Sequence, residues 1–504
     1  MLRVDSKQAI LENATTARPQ AGEQPSLTEA AARVAAAPPE RTMSGAVVVG
    51  VAQIVEAVLL VALGYGIYSV YVAQPQAAFY VPLILASVLV SNILFNAART
   101  HRIPMYRTVL QQIGRVLAAW SAVIVLVVSF AFVFKASELV SRGWLITWYA
   151  SGAILLVAFR LLLRALINQW TAAGRLKRRT VIVGGGADAG TLIEAIRRDA
   201  ENDVNLIGMF DDRVDERSPE TVLDVPKLGK VSGLVDFARQ TRVDLVIVSM
   251  PLSAEKRVLE MLKQLWVLPV DIRLSAHMSK LRFANRAYSY VGNVAVFDVA
   301  DRPISDWNLI FKWLFDHLVA AVALTLLSPI MLATAIAIKL DSKGPVLFRQ
   351  KRHGFNNELV EVFKFRSMYT NQADAAAVRL VTKDDQRVTR VGRFIRKTSL
   401  DELPQLFNVL QGKMSLVGPR PHAVAHNEMY RKLISGYMIR HKVRPGITGL
   451  AQVNGLRGET ETLDKMSERV RYDLEYLRHW SPWLDIKIIL KTIGQLLWGS
   501  KKAY

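Results

Sequence analysis

The chain has 504 residues, of which 51% are apolar, and its mean hydropathy is +0.21. It is too long for one hydrophobic core and too apolar for an entirely soluble protein, so part of it is predicted to lie in a membrane. The absence of cysteine excludes disulfides, cysteine-ligated zinc and a thiol nucleophile. A net charge of +21 suits anionic lipid headgroups and anionic substrates. Because no nucleic-acid-binding motif accompanies this charge, no nucleic-acid partner is predicted.

The first segment, residues 1–43, is rich in Ala, Pro, Glu, Gln and Thr. It has few apolar residues to bury, which predicts a disordered cytoplasmic tail. No apolar stretch follows the first charges at the distance typical of a signal peptide, so we expect no cleavable signal.

Four apolar stretches follow, each close to the about 20 residues that a helix needs to cross the hydrocarbon core. They predict a four-helix transmembrane bundle within residues 44–168. Lys and Arg are concentrated in the tail, between the second and third stretches, and after the fourth. The positive-inside rule therefore places both ends of the bundle in the cytoplasm. The predicted spans are approximately Gly45–Val72, Ala78–Ala97, Val116–Phe134 and Trp144–Ile167.

Three ionisable residues lie within or near the ends of these spans, namely Glu56, Arg160 and Arg164. Ionisable groups inside a membrane are costly and are functional candidates by default. The alternative is structural, because both arginines lie near the cytoplasmic end, where a long side chain reaches the headgroups. Glu56 would then face a neighbouring helix.

A Rossmann-like parallel α/β domain is predicted over residues 178–276, where an apolar strand runs into a glycine turn and a helix. The glycines Gly184, Gly186 and Gly190 are spaced one residue longer than the dinucleotide-binding motif. An acidic pair that begins at Asp211 follows the second strand at the usual ribose-binding distance. The chain has no Tyr-x-x-x-Lys pair, so we expect a regulatory or vestigial nucleotide-binding fold rather than an oxidoreductase, and assign no cofactor-binding residue.

The next apolar run, His317–Ile338, is interrupted by Ser328-Pro329. A proline inside a helix removes one hydrogen bond and bends the axis, so the segment can enter one leaflet and return. We therefore predict a re-entrant membrane helix over about residues 309–340. A kinked fifth span is the alternative, but it would place the two soluble domains on opposite sides of the membrane.

The remaining chain begins with a densely cationic stretch and continues into the strand-like Val360–Phe365. Lys364 and Arg366 alternate on one face of this strand, so both side chains are predicted to converge on one phosphate group. A solvated strand edge would have the same pattern.

An adjacent acidic pair, Asp401 and Glu402, follows at the start of a predicted helix. Ser399 and Glu402 have the spacing of a capping box, which is the structural interpretation of this pattern. The same helix start is also an anion site, flanked by three cations that include Arg396. Downstream, the glycine-proline run that ends at Pro421 predicts a rigid turn presenting Arg420, whose guanidinium can bind phosphate or stack on a base.

Three separated motifs, Lys364–Met368, Lys397–Pro421 and Arg444–Gly455, occur in one order and together resemble the catalytic domain of the bacterial sugar transferases. The resemblance spans residues 302–504 and implies a mostly helical catalytic domain that includes the re-entrant helix. In that family the middle domain is not catalytic, and the Ser-Pro break favours the re-entrant form.

The resemblance implies that a UDP-hexose donates hexose 1-phosphate to undecaprenyl phosphate and releases UMP. Asp401 would attack the β-phosphorus, and Glu402 would be a ligand of Mg²⁺, which prefers hard oxygen donors. Glucose is the expected sugar and galactose the alternative. A membrane-tethered nucleotide sensor without turnover is a second hypothesis. The predicted substrate-binding residues are Lys364, Arg366, Arg396, Arg420 and Asp473. For Asp473, pairing with an arginine is the alternative.

The implied location is the bacterial inner membrane, with several spans, contact with the lipid bilayer, and a catalytic domain that faces the cytoplasm. The implied process is exopolysaccharide or capsule biosynthesis. The C-terminal run Trp483–Trp498 mixes aromatic, aliphatic and lysine residues, which is typical of an interfacial helix. A packed amphipathic helix is the alternative there. The sequence leaves the oligomeric state open, with a homodimer as one alternative.

Overall fold

In the computed structural model, the described residues are 27–36, 43–72, 76–101, 109–198, 203–213, 218–250, 255–275, 288–291, 294–370, 385–422, 424–434, 436–456 and 462–498. Contacts divide them into two compact units. One unit is formed by Glu40–Arg178 with Ala200–Asn205, and the other contains most of the remaining chain.

The predicted disordered tail is wrong for one segment, because α1 spans Glu29–Ala36. The Thr28 hydroxyl starts this helix by accepting a hydrogen bond from the Ala31 N–H at 3.2 Å. The same hydroxyl donates to the Leu228 carbonyl at 2.5 Å, and Ala31 is fully buried. The alanine-rich face of α1 covers an apolar surface formed by a later part of the chain. The composition of the tail does not reveal that this surface exists. Most of the other tail residues lie outside the described ranges.

The first unit contains four helices that are long and apolar enough to cross a membrane, as predicted. Neighbouring helices pack closely where glycine replaces a side chain. A Cβ at Gly64 would lie 2.9 Å from the Trp148 ring, and one at Gly152 would lie 2.9 Å from Trp120. The two indole rings meet edge to face, with centroids 5.3 Å apart. The helices are α2 (Gly45–Tyr71), α3 (Ala77–Ala97), α4 (Val109–Val133) and α5 (Arg142–Ala172).

Glu56 and Arg160 form a buried cluster with His101, which follows α3, whereas Arg164 is exposed. Nη2 of Arg160 lies 2.8 Å from Oε1 of Glu56, and Nε2 of His101 lies 2.9 Å from Oε2 of the same carboxylate. Arg160 is only 1% exposed, so the prediction that it extends to the headgroups is wrong. Pairing with Glu56 offsets the cost of removing both charges from water.

The middle domain is built on an eight-stranded sheet of order β3-β4-β2-β1-β5-β6-β8-β7. Its central strands are parallel, as predicted, but β8 pairs antiparallel with β6. The sheet therefore continues beyond the predicted boundary at residue 276. The helices are α6 (Ala187–Arg198), α7 (Val231–Gln240) and α8 (Glu255–Leu265). The strands are β1 (Arg178–Val183), β2 (Val204–Phe210), β3 (Thr221–Val222), β4 (Val225–Gly229), β5 (Leu245–Val248), β6 (Asp271–Ser275), β7 (Tyr288–Val291) and β8 (Val294–Ala300).

The C-terminal domain is mostly helical, with two small strand pairs. Its strands are β9 (Leu347–His353) and β10 (Leu359–Phe365), which form an antiparallel hairpin, and β11 (Ser415–Val417) and β12 (Gly446–Thr448), which pair in parallel. Its helices are α9 (Asp306–Asp341), α10 (Arg390–Lys397), α11 (Gln405–Leu410), α12 (Val424–Leu433), α13 (Leu450–Val453), α14 (Leu463–Arg478) and α15 (Pro482–Trp498).

Helix α9 contains Pro329 and is the fifth helix long and apolar enough to cross a membrane. Both of its ends contact the rest of the C-terminal domain. Near the start, the Lys312 ammonium lies 2.6 Å from the Asp485 carboxylate of α15. At the end, the Asp341 carboxylate accepts a hydrogen bond from the Val391 N–H at 3.2 Å. The segment between these contacts exposes a row of large apolar side chains, which includes Leu318, Val322, Leu326 and Leu332.

Candidate active site

The acidic pair lies on a single 3-10 turn, Leu400–Glu402, and not at the start of a capped α-helix. Ser399 has φ 60° and makes no side-chain capping hydrogen bond, so the predicted capping box is wrong. The left-handed backbone at Ser399 reverses the chain immediately after α10. Glu402 therefore points to neighbouring cations and does not return to cap the turn.

Two cations hold the Glu402 carboxylate. Nζ of Lys364 lies 2.8 Å from Oε1, and the Arg420 guanidinium forks onto both oxygens at 2.5 and 3.2 Å. Burial alone raises the pKa of Glu402, but the charges of Arg420 and Lys364 outweigh it and hold this pKa well below its usual range. Glu402 is therefore ionised at neutral pH.

Asp401 has a different environment. Within the part of the chain that the structure describes, its carboxylate accepts no hydrogen bond and has no cation within 4.0 Å. Burial raises the pKa of Asp401 above its ordinary value, against the opposing charge of Lys364, and the neighbouring Glu402 raises it further. The two adjacent carboxylates thus differ in basicity, because a desolvated, unpaired carboxylate is the more basic of the two.

Lys364 and Arg366 do not converge, so that prediction is wrong. Lys364 lies on β10 and reaches Glu402, whereas Arg366 follows the end of this strand. The Arg366 guanidinium donates to the Ser342 carbonyl at 2.7 Å and also to the carbonyls of Ile338 and Lys343. These carbonyls are at the C-terminal end of α9, where a cation is favoured by the unpaired acceptors and the helix dipole.

The loop that presents Arg420 is fixed by close backbone contacts. A Cβ at Gly418 would lie 2.5 Å from the Arg444 carbonyl oxygen, so only glycine allows β11 and the segment before β12 to approach this closely. The Gly418 N–H donates to the Thr448 carbonyl at 2.9 Å, and the Gly446 N–H donates to the Pro419 carbonyl at 3.0 Å. The predicted rigid turn is therefore present, and it directs Arg420 to Glu402.

Arg352 is a site residue that sequence reasoning did not single out. Its guanidinium donates to the Pro421 carbonyl at 2.5 Å and to Oε1 of Gln350 at 2.8 Å. Burial and the charge of Arg420 lower the pKa of Arg352 to about 10, so it is protonated at neutral pH. The β9 sequence is densely cationic, but this pattern does not indicate which arginine lies near the acidic pair.

Asp473 does not reach the acidic pair. Its buried carboxylate lies 2.7 Å from Nη2 of Arg440. Arg440 in turn donates to the Arg420 carbonyl at 2.7 Å and to Nδ1 of His422 at 2.7 Å. Burial and Arg440 hold the pKa of His422 well below its usual range, so this imidazole is neutral. Asp473 therefore supports the Arg420 loop through Arg440, and its predicted contact with substrate is corrected.

Arg396, in the last turn of α10, is half-buried near the acidic pair. Its charge lowers the pKa of Asp401, which places it on the side of the unpaired carboxylate. Arg393 and Lys397 of the same helix are exposed. The structure thus brings Asp401, Glu402, Lys364, Arg396 and Arg420 together.

No group of three or more potential metal-binding side chains is present among the described residues. A magnesium site can nevertheless consist of one or two carboxylates completed by substrate phosphate oxygens and water. The adjacent Asp401 and Glu402 carboxylates fit such a site, because their donors are hard oxygens and Glu402 is ionised. Lys364 and Arg420 now hold Glu402 and would share it with the metal.

A mostly apolar cleft opens beside the acidic pair. Glu402 and Ser399 lie on its wall. Its apolar lining comes from α9, the catalytic turn, α11, β12 and α15, with Leu327, Leu403, Leu406, Ile447 and Leu496 as the larger side chains. The site therefore has a cationic side and an apolar side.

The glycine loop of the middle domain is already bonded internally. The Gly185 N–H donates to the Asp211 carboxylate at 2.8 Å, and the Gly184 N–H donates to the Phe210 carbonyl at 2.9 Å. Nη2 of Arg213 lies 2.9 Å from the same carboxylate, so Asp211 is not directed towards a ribose. In a dinucleotide-binding domain such amides face the diphosphate. As observed, this loop does not fit a diphosphate-containing cofactor.

Comparison with known families gives two matches. Residues 307–499 match the model of the bacterial sugar transferase family, and residues 97–276 match the model of a CoA-binding domain. The first match contains every side chain that surrounds the acidic pair. The second match covers α4, α5 and the middle domain up to β6. The glycine loop of this domain does not fit the diphosphate of coenzyme A.

Several characterised proteins are similar over most of their length. A UDP-glucose:undecaprenyl-phosphate glucose-1-phosphate transferase of Xanthomonas campestris pv. campestris is 39% identical over 85% of this chain and 89% of its own. One of Klebsiella pneumoniae is 41% identical over 75% of this chain and 80% of its own. The exopolysaccharide production protein PSS of Rhizobium leguminosarum bv. phaseoli is 47% identical over 37% of this chain and 94% of its own. The chain belongs to the bacterial sugar transferase family.

Proposed function

We propose that this protein transfers hexose 1-phosphate from a UDP-sugar to undecaprenyl phosphate and releases UMP, as the initiating step of exopolysaccharide or capsule biosynthesis. The observation that carries the proposal is the contrast within the acidic pair. Asp401 is half-buried and unpaired among the described residues, while Lys364 and Arg420 hold Glu402. This is an arrangement for carboxylate attack on a phosphate whose negative charge the nearby cations offset.

In the first step, an Asp401 carboxylate oxygen attacks the β-phosphorus of the UDP-sugar. The bond from that phosphorus to the bridging oxygen breaks, and the bridging oxygen leaves with its electron pair on UMP. The product is an aspartyl phosphosugar. The raised pKa of Asp401 makes its ionised form the stronger nucleophile.

In the second step, a phosphate oxygen of undecaprenyl phosphate attacks the same phosphorus. The acyl phosphate bond breaks, Asp401 regains its carboxylate, and the product is undecaprenyl diphosphate hexose. Arg420, Arg352, Lys364 and Arg396 provide the positive charge that both steps need around the non-bridging oxygens.

We propose Mg²⁺ as the cofactor, held by Glu402 and the substrate diphosphate. When bound, it withdraws charge from the phosphate oxygens and makes the phosphorus more electrophilic. The residues of this chain would hold the diphosphate in place and keep Asp401 unpaired until substrate arrives.

Glucose is the proposed sugar. The names of the Xanthomonas and Klebsiella relatives both specify UDP-glucose, and their similarity extends beyond the catalytic domain. An epimeric hydroxyl is distinguished by individual pocket contacts, so galactose is the alternative to be tested.

We propose that the four helices of the first unit form a transmembrane bundle in the bacterial inner membrane and that the catalytic domain faces the cytoplasm. Helix α9 would be re-entrant. Its support is that Lys312 near one end and Asp341 at the other both contact the same catalytic domain, while the apolar row between them is exposed. Pro329 lies within that exposed segment, where a bend would return the helix to the same face.

The purified protein, incubated with undecaprenyl phosphate, Mg²⁺ and a panel of radiolabelled UDP-hexoses, tests the proposal. We expect labelled lipid, with UDP-glucose as the best donor. Without the lipid acceptor, label should remain on the wild-type protein and be absent from Asp401→Asn.

The Asp401→Asn variant should lose at least about a thousandfold of its activity, because it lacks the anionic oxygen that bonds to phosphorus. Its melting temperature should be close to that of the wild type, since the side chain keeps its size. Strong lipid-product formation by a folded Asp401→Asn protein would remove Asp401 from the mechanism.

A further inference from the structure

The middle domain contacts the catalytic domain beside the loop that presents Arg420. The 3-10 turn Tyr437–Lys442 carries Arg440 and ends at Lys442. The Lys442 ammonium lies 5.3 Å from the centroid of the Trp266 ring, which follows α8 of the middle domain. Lys442 and Trp266 are 6% and 7% exposed, so the contact is buried. A cation over an indole face is attractive, and more so when water is excluded.

The same turn is bonded to the active site. Arg440 holds the Arg420 carbonyl at 2.7 Å, and Arg420 holds the Glu402 carboxylate. Three consecutive contacts therefore connect Trp266 to Glu402 through Lys442, Arg440 and Arg420. The turn is rigid between them, because Arg440 also pairs with the buried Asp473.

Burial of Lys442 is costly for the fold. Burial lowers the pKa of Lys442 to about 8, against the attraction of Asp271 on β6. The other charged groups of its own turn are Arg440, which is paired with Asp473, and His441, which burial renders neutral with a pKa of about 3. A methionine would avoid this desolvation cost and fill similar space. A buried lysine at the junction therefore indicates a role other than stability.

We propose that Lys442 is a positioning residue through which the middle domain, by way of Trp266, holds the Arg420 loop in its substrate-binding position. The inference rests on the proposed transferase function and deepens it, since it assigns a role to a domain that contributes no catalytic side chain. A second contact favours the same role. The Asn356 side chain, in the hairpin that carries Lys364, donates to the Ala238 carbonyl of the middle domain at 3.2 Å.

The test compares Lys442→Met and Lys442→Arg in the full-length protein, with the exposed Lys413→Met as a matched control. Lys442→Met should raise the KM for UDP-glucose roughly tenfold, as expected for indirect coupling, with the KM for undecaprenyl phosphate unchanged. Its melting temperature at neutral pH should equal or exceed that of the wild type, because a buried charge is removed. Lys442→Arg keeps a cation that stacks on Trp266 and should retain activity.

A pH profile gives an independent readout. Deprotonation of Lys442 should raise the wild-type KM for UDP-glucose as the pH increases through about 8. This pH-dependent rise in KM should be absent in Lys442→Arg, because arginine stays protonated. It should also be absent in Lys442→Met, whose KM is already raised. Lys413→Met should show the same pH-dependent rise in KM as the wild type.

Binding of UDP-glucose, measured by calorimetry in the Asp401→Asn background, separates this inference from the proposed function. Weaker binding by the Asp401→Asn/Lys442→Met protein would support the inference whether or not the reaction is as proposed. Equal binding by both proteins would overturn it. A Lys442→Met protein that melts at a lower temperature and shows an equal loss in all kinetic parameters would also overturn it. That result is expected for a lysine with only a structural role.

Discussion

At the scale of single residues, the site depends on an unequal division of charge between adjacent carboxylates. Glu402 pairs with Lys364 and Arg420, and the half-buried Asp401 has no paired cation among the described residues. The environment therefore assigns opposite pKa directions to two neighbouring acids, as the proposed roles of Glu402 as an ionised anchor and Asp401 as a nucleophile require.

This division predicts the acid limb of the pH profile. The reaction needs ionised Asp401, whose pKa is raised, so kcat/KM should fall at a higher pH than for an ordinary aspartate. The charge of Lys364 lowers the pKa of Asp401, so Lys364→Met should let that pKa rise further. The acid limb of the variant should then move to higher pH, and its rate at neutral pH should fall by roughly 10²–10³-fold.

The control for this experiment is Lys351→Met, which alters an exposed lysine on the adjacent strand of the same hairpin. It should leave both the rate and the acid limb unchanged. If Lys364→Met loses activity but keeps the wild-type acid limb, Lys364 acts on substrate alone and does not tune Asp401.

At the scale of secondary-structure elements, the path of α9 determines the proposed membrane topology. Its two ends contact one soluble domain, so a complete crossing would require that domain to lie on both sides of the bilayer. Arg366 strengthens this arrangement, because it binds the carbonyls at the end of α9. Arg366, which the sequence predicted to bind phosphate, thus binds the C-terminal end of α9 instead.

Single cysteines can test the re-entrant form, because the chain has no native cysteine. Asn308→Cys and Lys343→Cys place thiols at exposed positions near the two ends of α9. Both should react with a membrane-impermeant reagent only when the cytoplasmic face is accessible, as in inside-out vesicles.

A thiol at Glu138, in the exposed segment between α4 and α5, provides the opposite control. Glu138→Cys should react only from the periplasmic face, as in spheroplasts. Reaction of Asn308→Cys and Lys343→Cys from opposite faces would show a fifth span and contradict the proposed topology.

At the scale of the whole molecule, the residues of the candidate site come from one part of the chain. Asp401, Glu402, Lys364, Arg396 and Arg420 all belong to the C-terminal domain, which contains α9. The similarity to the Rhizobium protein covers 94% of that relative but 37% of this chain, so a much shorter member of the family exists. We therefore expect the chemistry itself not to require the first four helices.

A chain that begins at residue 174 should consequently retain transferase activity in detergent, at a level within about tenfold of the full-length protein. A chain that begins at residue 302 also lacks Trp266 and should show the raised KM for UDP-glucose proposed for Lys442→Met. Lipid-linked product formation and UDP-glucose binding should be measured on both. A folded, membrane-bound chain from residue 174 that makes no lipid-linked product would show that the first unit takes part in catalysis.

The sequence by itself determined the parts of this protein that depend on local pattern. Long apolar runs specify the candidate membrane helices, because only about 20 such residues can span hydrocarbon. Short continuous apolar runs, the first followed by a glycine turn, specify the parallel strands of the middle domain. The order of the motifs around Lys364, Asp401 and Arg420 identified the family before any geometry was known.

Only the tertiary structure decided which of many cations face the acidic pair. Arg366 and Asp473 have suitable chemistry, but one binds a helix end and the other pairs with Arg440. Arg352, by contrast, is brought to the site by its hairpin. Side-chain partners depend on where distant segments pack, and periodicity carries no information on that. The same reason hides Lys442, whose partner Trp266 is 176 residues away in the chain and 5.3 Å away in space.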